Sequence, residues 1–180
     1  LQELKKKQDD ISRRVNALES RQKVLRDMEA SMEGYSHSVK AIKQACIENR
    51  QFGQGIHGPV AQLITVEERY ETAVEISLGG SLQNIVTDDE YSAKRAIEYL
   101  KKNNLGRATF LPITAVKPRT LDTAQMGRIQ GMPGFEGIAS DKVKCDSKFS
   151  GILLNLLGRT VIVDNIDSGI NMAKQFDYSF

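Results

Sequence analysis

Leu4, Ile11, Leu18, Leu25 and Met32 stand seven residues apart without a miss. A strict period of seven, rather than 3.6, is the signature of a helix that supercoils about a partner. With these residues at heptad position d, position a holds Leu1, Gln8, Val15, Gln22 and Glu29. One strong seam beside a mixed one suits an antiparallel or terminal coil. No Pro or Gly interrupts the segment before Gly34. Residues 1–33 therefore read as a coiled-coil arm rather than an amphipathic helix folded onto its own domain.

The pattern changes after Gly34. Tyr35, Val39, Ile42 and Cys46 mark one face of a second amphipathic helix, so 34–54 is a helix and connector. Strand and helix patterns then alternate. Strands are expected at 60–66, 82–86 and 107–111, the last ended by Pro112, and helices at 67–78 and from Thr87 to about Asn103. Thr87 is the expected N-cap of the latter, with Glu90 three residues on as its capping-box partner. Residues 114–137 are punctuated by Pro118, Gly127, Gly131, Pro133, Gly134 and Gly137, with a short helix near 121–128. Strands near 142–145 and 160–163 and helices at 148–157 and 168–176 follow, and Tyr178-Ser179-Phe180 reads as the start of another strand.

The two halves echo each other. Ile85-Val86-Thr87-Asp88 aligns with Ile162-Val163-Asp164-Asn165, which brings Ala96 onto Ala173 and Tyr99 onto Phe176. Leu78-Gly79 matches Leu157-Gly158 across a two-residue gap. The division is subdomain I at 55–113, connector at 114–137 and subdomain II at 138–180, which on this pattern stops inside its last repeat.

Little in the chain offers chemistry. Cys46 and Cys145 are isolated, and His37 and His57 have no ligand-spaced partners, so no metal site is expected. Gly53-Gln54-Gly55-Ile56-His57-Gly58 formally fits G-x-G-x-x-G, but it follows a helix and enters a strand, the reverse of a dinucleotide loop. Neither a P-loop nor a nucleophile elbow occurs. Asp88-Asp89-Glu90 reads as helix capping rather than a cation cluster. The net charge is +2, and residues 1–30 hold eight Lys/Arg against six Asp/Glu. Lys94, Arg95, Lys101, Lys102 and Arg107 gather on and after one helix, either as a solvated face or as a weak, salt-sensitive phosphate contact.

The order of these motifs has a family likeness. Gly55-Ile56-His57-Gly58, Tyr70-Glu71-Thr72-Ala73-Val74-Glu75-Ile76 with Leu78-Gly79-Gly80, and Gln83-Asn84-Ile85-Val86 come first. The run from Ala93 to Asn103 and Gly106-Arg107-Ala108-Thr109-Phe110-Leu111-Pro112 follow. The series closes on Gly137-Ile138-Ala139-Ser140 and Leu156-Leu157-Gly158. Together they resemble the hinge domain of bacterial SMC (structural maintenance of chromosomes) proteins. That resemblance implies a mixed α/β hinge of two similar subdomains that forms a two-fold dimer and joins two antiparallel coil arms. ATP and Mg would belong to head domains outside this chain, and the hinge itself would bear no catalytic, cofactor or metal residues. It implies a cytoplasmic, nucleoid-associated chromosome-organising machine with modest DNA affinity and no membrane partner. Family hinges continue past the position of Phe180 with a further strand and a glycine-rich segment.

Within that picture the dimer edge is expected at Arg107, Ala108, Thr109, Phe110, Leu111, Tyr178 and Phe180. DNA contact is expected at Lys94, Arg95, Lys101, Lys102 and Arg107. The rival class is a small α/β ligand-binding or enzymatic domain with a helical appendage, since alternating units do not fix function.

Overall fold

The computed structural model describes residues 34–176 and, before them, Ile11, Arg14, Val15, Leu18 and Glu19. The chain divides into two compact units, Leu1–Ser36 and His37–Phe180. In the first, Ile11, Arg14, Val15, Leu18 and Glu19 are helical, and Ile11, Val15 and Leu18 are exposed. Leu4, Leu25, Met32, Tyr178 and Phe180 lie outside the described residues.

The second unit opens with helix α1, His37–Glu48, which buries Ser38, Val39, Ile42 and Ala45 along one stripe. A single turn, α2 (Arg50–Gly53), leads into β1, Ile56–Pro59. Then come β2 (Ile64–Val66), α3 (Glu71–Leu78), β3 (Ile85–Thr87), α4 (Glu90–Lys102) and β4 (Phe110–Pro112). After a connector follow α5 (Thr123–Gln130), β5 (Phe135–Ile138), β6 (Val143–Cys145), α6 (Ser150–Leu157), β7 (Val161–Val163) and α7 (Ile166–Gln175). Mixed helices and small sheets are thus the fold class, as the sequence pattern requires.

Several expected boundaries move, each for a visible reason. The strand expected at 60–66 shrinks to β2, because Val60–Gln62 forms a 3-10 turn between β1 and β2, which lie in different sheets. The chain changes sheets there, so one continuous ladder is impossible. The strand expected at 82–86 begins later, because Gly79–Gln83 forms a 3-10 turn, and it runs Ile85–Thr87. Thr87 is therefore a fully buried strand residue, not the N-cap. Asp89 caps α4, its carboxylate accepting from the Ser92 amide, and the Thr87 hydroxyl donates to the Asp89 carbonyl. Pro112 belongs to β4 instead of ending it; an edge strand tolerates a residue with no amide donor. The irregular segment 114–137 contains all of α5 and most of β5, and β5 crosses the division drawn at 137/138.

The internal echo is real, but displaced by one residue. β1 pairs antiparallel with β3, Gly58 opposite Val86 and Pro59 opposite Ile85, with a bulge between Ile56 and Gly58. β5 pairs in the same way with β7, Gly137 opposite Ile162 and Ile138 opposite Val161, with a bulge between Phe135 and Gly137. Ile85, Val86 and Thr87 thus correspond to Val161, Ile162 and Val163. The caps agree, since Asn165 accepts from the Ser168 amide as Asp89 accepts from Ser92. Ala96 then meets Met172 and Leu100 meets Phe176, all four buried, instead of Ala173 and Phe176 being the partners of Ala96 and Tyr99.

The halves join through β2 and β6. Ile64 faces Cys145, Thr65 faces Lys144 and Val66 faces Val143, antiparallel. Because Ile64, Thr65 and Val66 correspond to Val143, Lys144 and Cys145, this pairing is self-complementary, like an isologous dimer contact folded into one chain. The cores repeat the exchange. Tyr70 of the first half packs with Ala139, Leu157 and Ile162 of the second. Its counterpart Phe149 packs with Val60 and Val86 of the first.

Candidate dimer edge and basic face

β4 lies at the end of the sheet order β1-β3-β4. It runs parallel to β3, with Phe110, Leu111 and Pro112 opposite Ile85, Val86 and Thr87. The bonding extends past both ends. The Ile85 amide donates to the Thr109 carbonyl at 2.8 Å and the Ile113 amide to the Thr87 carbonyl at 2.8 Å. No described residue pairs with the other side of β4 in the sheet, which leaves it able to pair elsewhere. Arg107 and Thr109 are exposed, and Ala108, Phe110 and Leu111 half-buried. These five expected edge residues therefore do lie along one strand and its approach.

The second half offers a further edge, where the repeat pattern of the sequence leaves the counterpart of β4 unfinished. β7 pairs only with β5 among the described residues. Along its outer side runs a groove of about 340 Å³ lined by Arg159, Thr160, Val161, Val163, Gly169, Met172 and Ala173. The corresponding side of β3 is occupied by β4. Where Glu90 receives a hydrogen bond from Thr114 beside β4, the matching α7 position is Ile166, which is exposed. The corrected repeat register would have exposed this difference; the one-residue displacement hid it.

The expected basic cluster separates into different jobs. Arg95 is committed inward: its guanidinium donates to the carbonyls of Phe52, at 3.2 Å, and Gln54. Lys94 lies 3.8 Å from Glu98, one turn on, in an exposed pair. Lys101 and Lys102 are exposed in the last turn of α4, where cations complement the negative helix end. Arg107 follows, exposed, after the turn at Asn103 and Asn104. Lys101, Lys102 and Arg107 thus remain as the exposed basic run near β4.

Burial pushes the thiols of both Cys46 and Cys145 up from their ordinary value, which disfavours the reactive thiolate. His57 is occupied by Asp88, 2.6 Å away, and its ring lies edge-on to Phe149. No group of three or more His, Cys, Asp or Glu among the described residues is placed to hold a metal ion. No described helix is long and apolar enough to cross a membrane.

Two copies of one strand-and-helix unit, joined about a local dyad and presenting open sheet edges among the described residues, define a two-subdomain α/β module. The family model described as "SMC proteins Flexible Hinge Domain" matches residues 53–173. The chain belongs to the SMC hinge domain family. It is 38% identical over 167 residues to the chromosome partition protein Smc of Clostridium kluyveri, covering 92% of this chain and 14% of that protein. The Smc of Bacillus subtilis is 37% identical over 166 residues, with the same coverage of 92% and 14%. The chain thus spans about one-seventh of those relatives. Among solved structures, the SMC hinge domain of Geobacillus stearothermophilus, an asymmetric dimer, superposes with a TM-score of 0.86 at 38% identity, covering 92% of this chain and 64% of that one. The hinge domain of the Pyrococcus furiosus SMC protein gives 0.60 at 35% identity, covering 78% and 69%.

Proposed function

We propose that this chain is the dimerisation hinge of a chromosome-organising SMC ATPase, joining two coiled-coil arms and touching DNA weakly and without sequence preference. The observation that carries the reading is the open outer side of β4 within a hinge-family fold. An unpaired strand edge is costly to leave exposed and is satisfied by another strand, and in a homodimer the contact closes about a two-fold axis. The exposed, helical Ile11, Val15 and Leu18 support a coil arm that awaits a returning partner helix. Lys101, Lys102 and Arg107 supply the phosphate-contacting face. Catalysis, ATP and Mg belong in this reading to head domains elsewhere in the parent protein, which works at the nucleoid.

The test is Phe110→Asp or Thr109→Lys in the complete parent hinge. A charge at the pairing edge should weaken self-association by at least about tenfold, the equivalent of roughly 1.4 kcal/mol, read as a shift from dimer to monomer in light scattering. Undiminished dimer in both variants, with the fold intact by circular dichroism, would remove β4 from the contact.

A further inference from the structure

Ser38 is a polar residue on the buried stripe of α1, only 3% exposed. A buried hydroxyl needs a partner, and this one reaches across 69 positions of sequence to donate to the Arg107 carbonyl at 2.6 Å. Beside it the His37 ring nitrogen Nδ1 lies 3.4 Å from the Leu105 carbonyl. Gly106, between those two carbonyls, adopts φ +89°, and a side chain there would come within 3.9 Å of the Ser38 Cβ. The first turn of α1 is thus seated on residues 105–107. Only Ala108 separates Arg107 from Thr109, whose carbonyl already bonds the β3 amide of Ile85. Two extended residues span roughly 7 Å, so a shift at Arg107 has almost no slack in which to dissipate before β4. The short helix α2 that follows α1 is fixed as well, because Arg95 of α4 holds the carbonyls of Phe52 and Gln54.

We propose that Ser38 is a positioning residue, the latch by which α1, the first helix of the folded body, holds the approach to the edge strand β4. A change in the seating of α1 is then transmitted to the dimer edge. The functional half of this inference rests on β4 being that edge; the latch itself does not.

The test compares the intact chain with its Ser38→Ala variant by amide hydrogen exchange. Net hydrogen-bond contributions of about 0.5–1.5 kcal/mol correspond to a change of about 2- to 10-fold. Exchange at residues 107–113 should therefore rise by that factor, while the β5–β7 pair stays unchanged. Ser38→Thr, which keeps the hydroxyl, should restore protection. Ser77→Ala, which removes a hydroxyl bonded only within its own helix to the Ala73 carbonyl, should leave 107–113 untouched. If Ser38→Ala does not fold, His37→Ala removes the outer contact alone and should produce a smaller rise at the same residues. Unchanged exchange at 107–113 in a folded Ser38→Ala chain overturns the latch. Sedimentation of the complete hinge separates the two layers: a loosened 107–113 segment with undiminished self-association overturns the link to the dimer edge and leaves only a local contact.

Discussion

Gly134 occupies a position where the fold cannot accommodate a side chain. Its φ is +81°, and a Cβ there would run into Ser168 and Asp164. Gly55 repeats this in the first half, with φ +77° and Ser92 Oγ 2.5 Å from where a Cβ would stand. In both, the glycine carbonyl accepts the amide of the aspartate that follows the partner strand, Asp88 after β3 at 2.8 Å and Asp164 after β7 at 2.9 Å. The positive φ alone costs an L-residue about 1–2 kcal/mol, and overpacking adds about 1–3 kcal/mol. Gly134→Ala should therefore destabilise the chain by roughly 2–5 kcal/mol, measured as a lowered urea midpoint with an unchanged slope. A midpoint within error of the parent's would mean the strand-to-helix turn relaxes freely. The sequence marks Gly55 and Gly134 as punctuation, but only the fold shows that both are pressed against a serine and an aspartate of their own repeat.

At the scale of the element, the two capped helices α4 and α7 differ informatively. Asp89 begins the first and Asn165 the second, each accepting a serine amide three residues on. The hydrogen bond from the Ser92 amide, seconded by the Ser92 hydroxyl, holds the Asp89 carboxyl below its ordinary value. A carboxyl so depressed stabilises the fold above its unfolded pKa of about 3.9, and that contribution fades as pH falls through the folded value. Asn is an equally good cap without a charge. Asp89→Asn should thus lower the melting temperature at pH 7, with the gap closing as pH falls below the unfolded carboxyl value and through the lower folded one. A gap that stays constant with pH would show that the charge at this cap contributes nothing. The same elements show why sequence reading succeeds and fails. The apolar spacing of Ala93, Ala96, Ile97 and Leu100 suffices to find α4 and most of its buried face, although Ile97 is exposed. It does not choose between Thr87 and Asp89 as the cap, because both can accept a hydrogen bond. That choice depends on Thr87 being drawn into β3, a tertiary event. The strand β5 escaped notice for a related reason: Phe135-Glu136-Gly137-Ile138 has one glycine before it and another within it, and gains its ladder only from β7, which is distant in sequence.

The whole molecule sorts its cations by what the fold leaves to them. Of the five residues expected to meet phosphate, Arg95 is turned inward to Phe52 and Gln54, and Lys94 is beside Glu98. Lys101→Glu with Lys102→Glu should weaken binding of the hinge to duplex DNA uniformly across sequences and flatten the salt dependence. The log–log slope should fall by about 2, near 0.9 for each lost phosphate contact. A slope that does not change in a filter-binding series would place the DNA contact on some other face. Composition could not make this distinction, since charge alone does not say which guanidinium holds its own backbone.

The exchange of Tyr70 and Phe149 has a mechanical consequence. Each half carries the ring that fills its neighbour's core, and both rings are at most 6% exposed. Tension that parts the two subdomains must withdraw both aromatic plugs at once and also tear the β2–β6 ladder. Burying an aromatic side chain removes about 150–250 Å² from water, so the joint resists with several kcal/mol from each ring. The halves are cross-bolted: strain reaching the hinge from either side is borne by the pair.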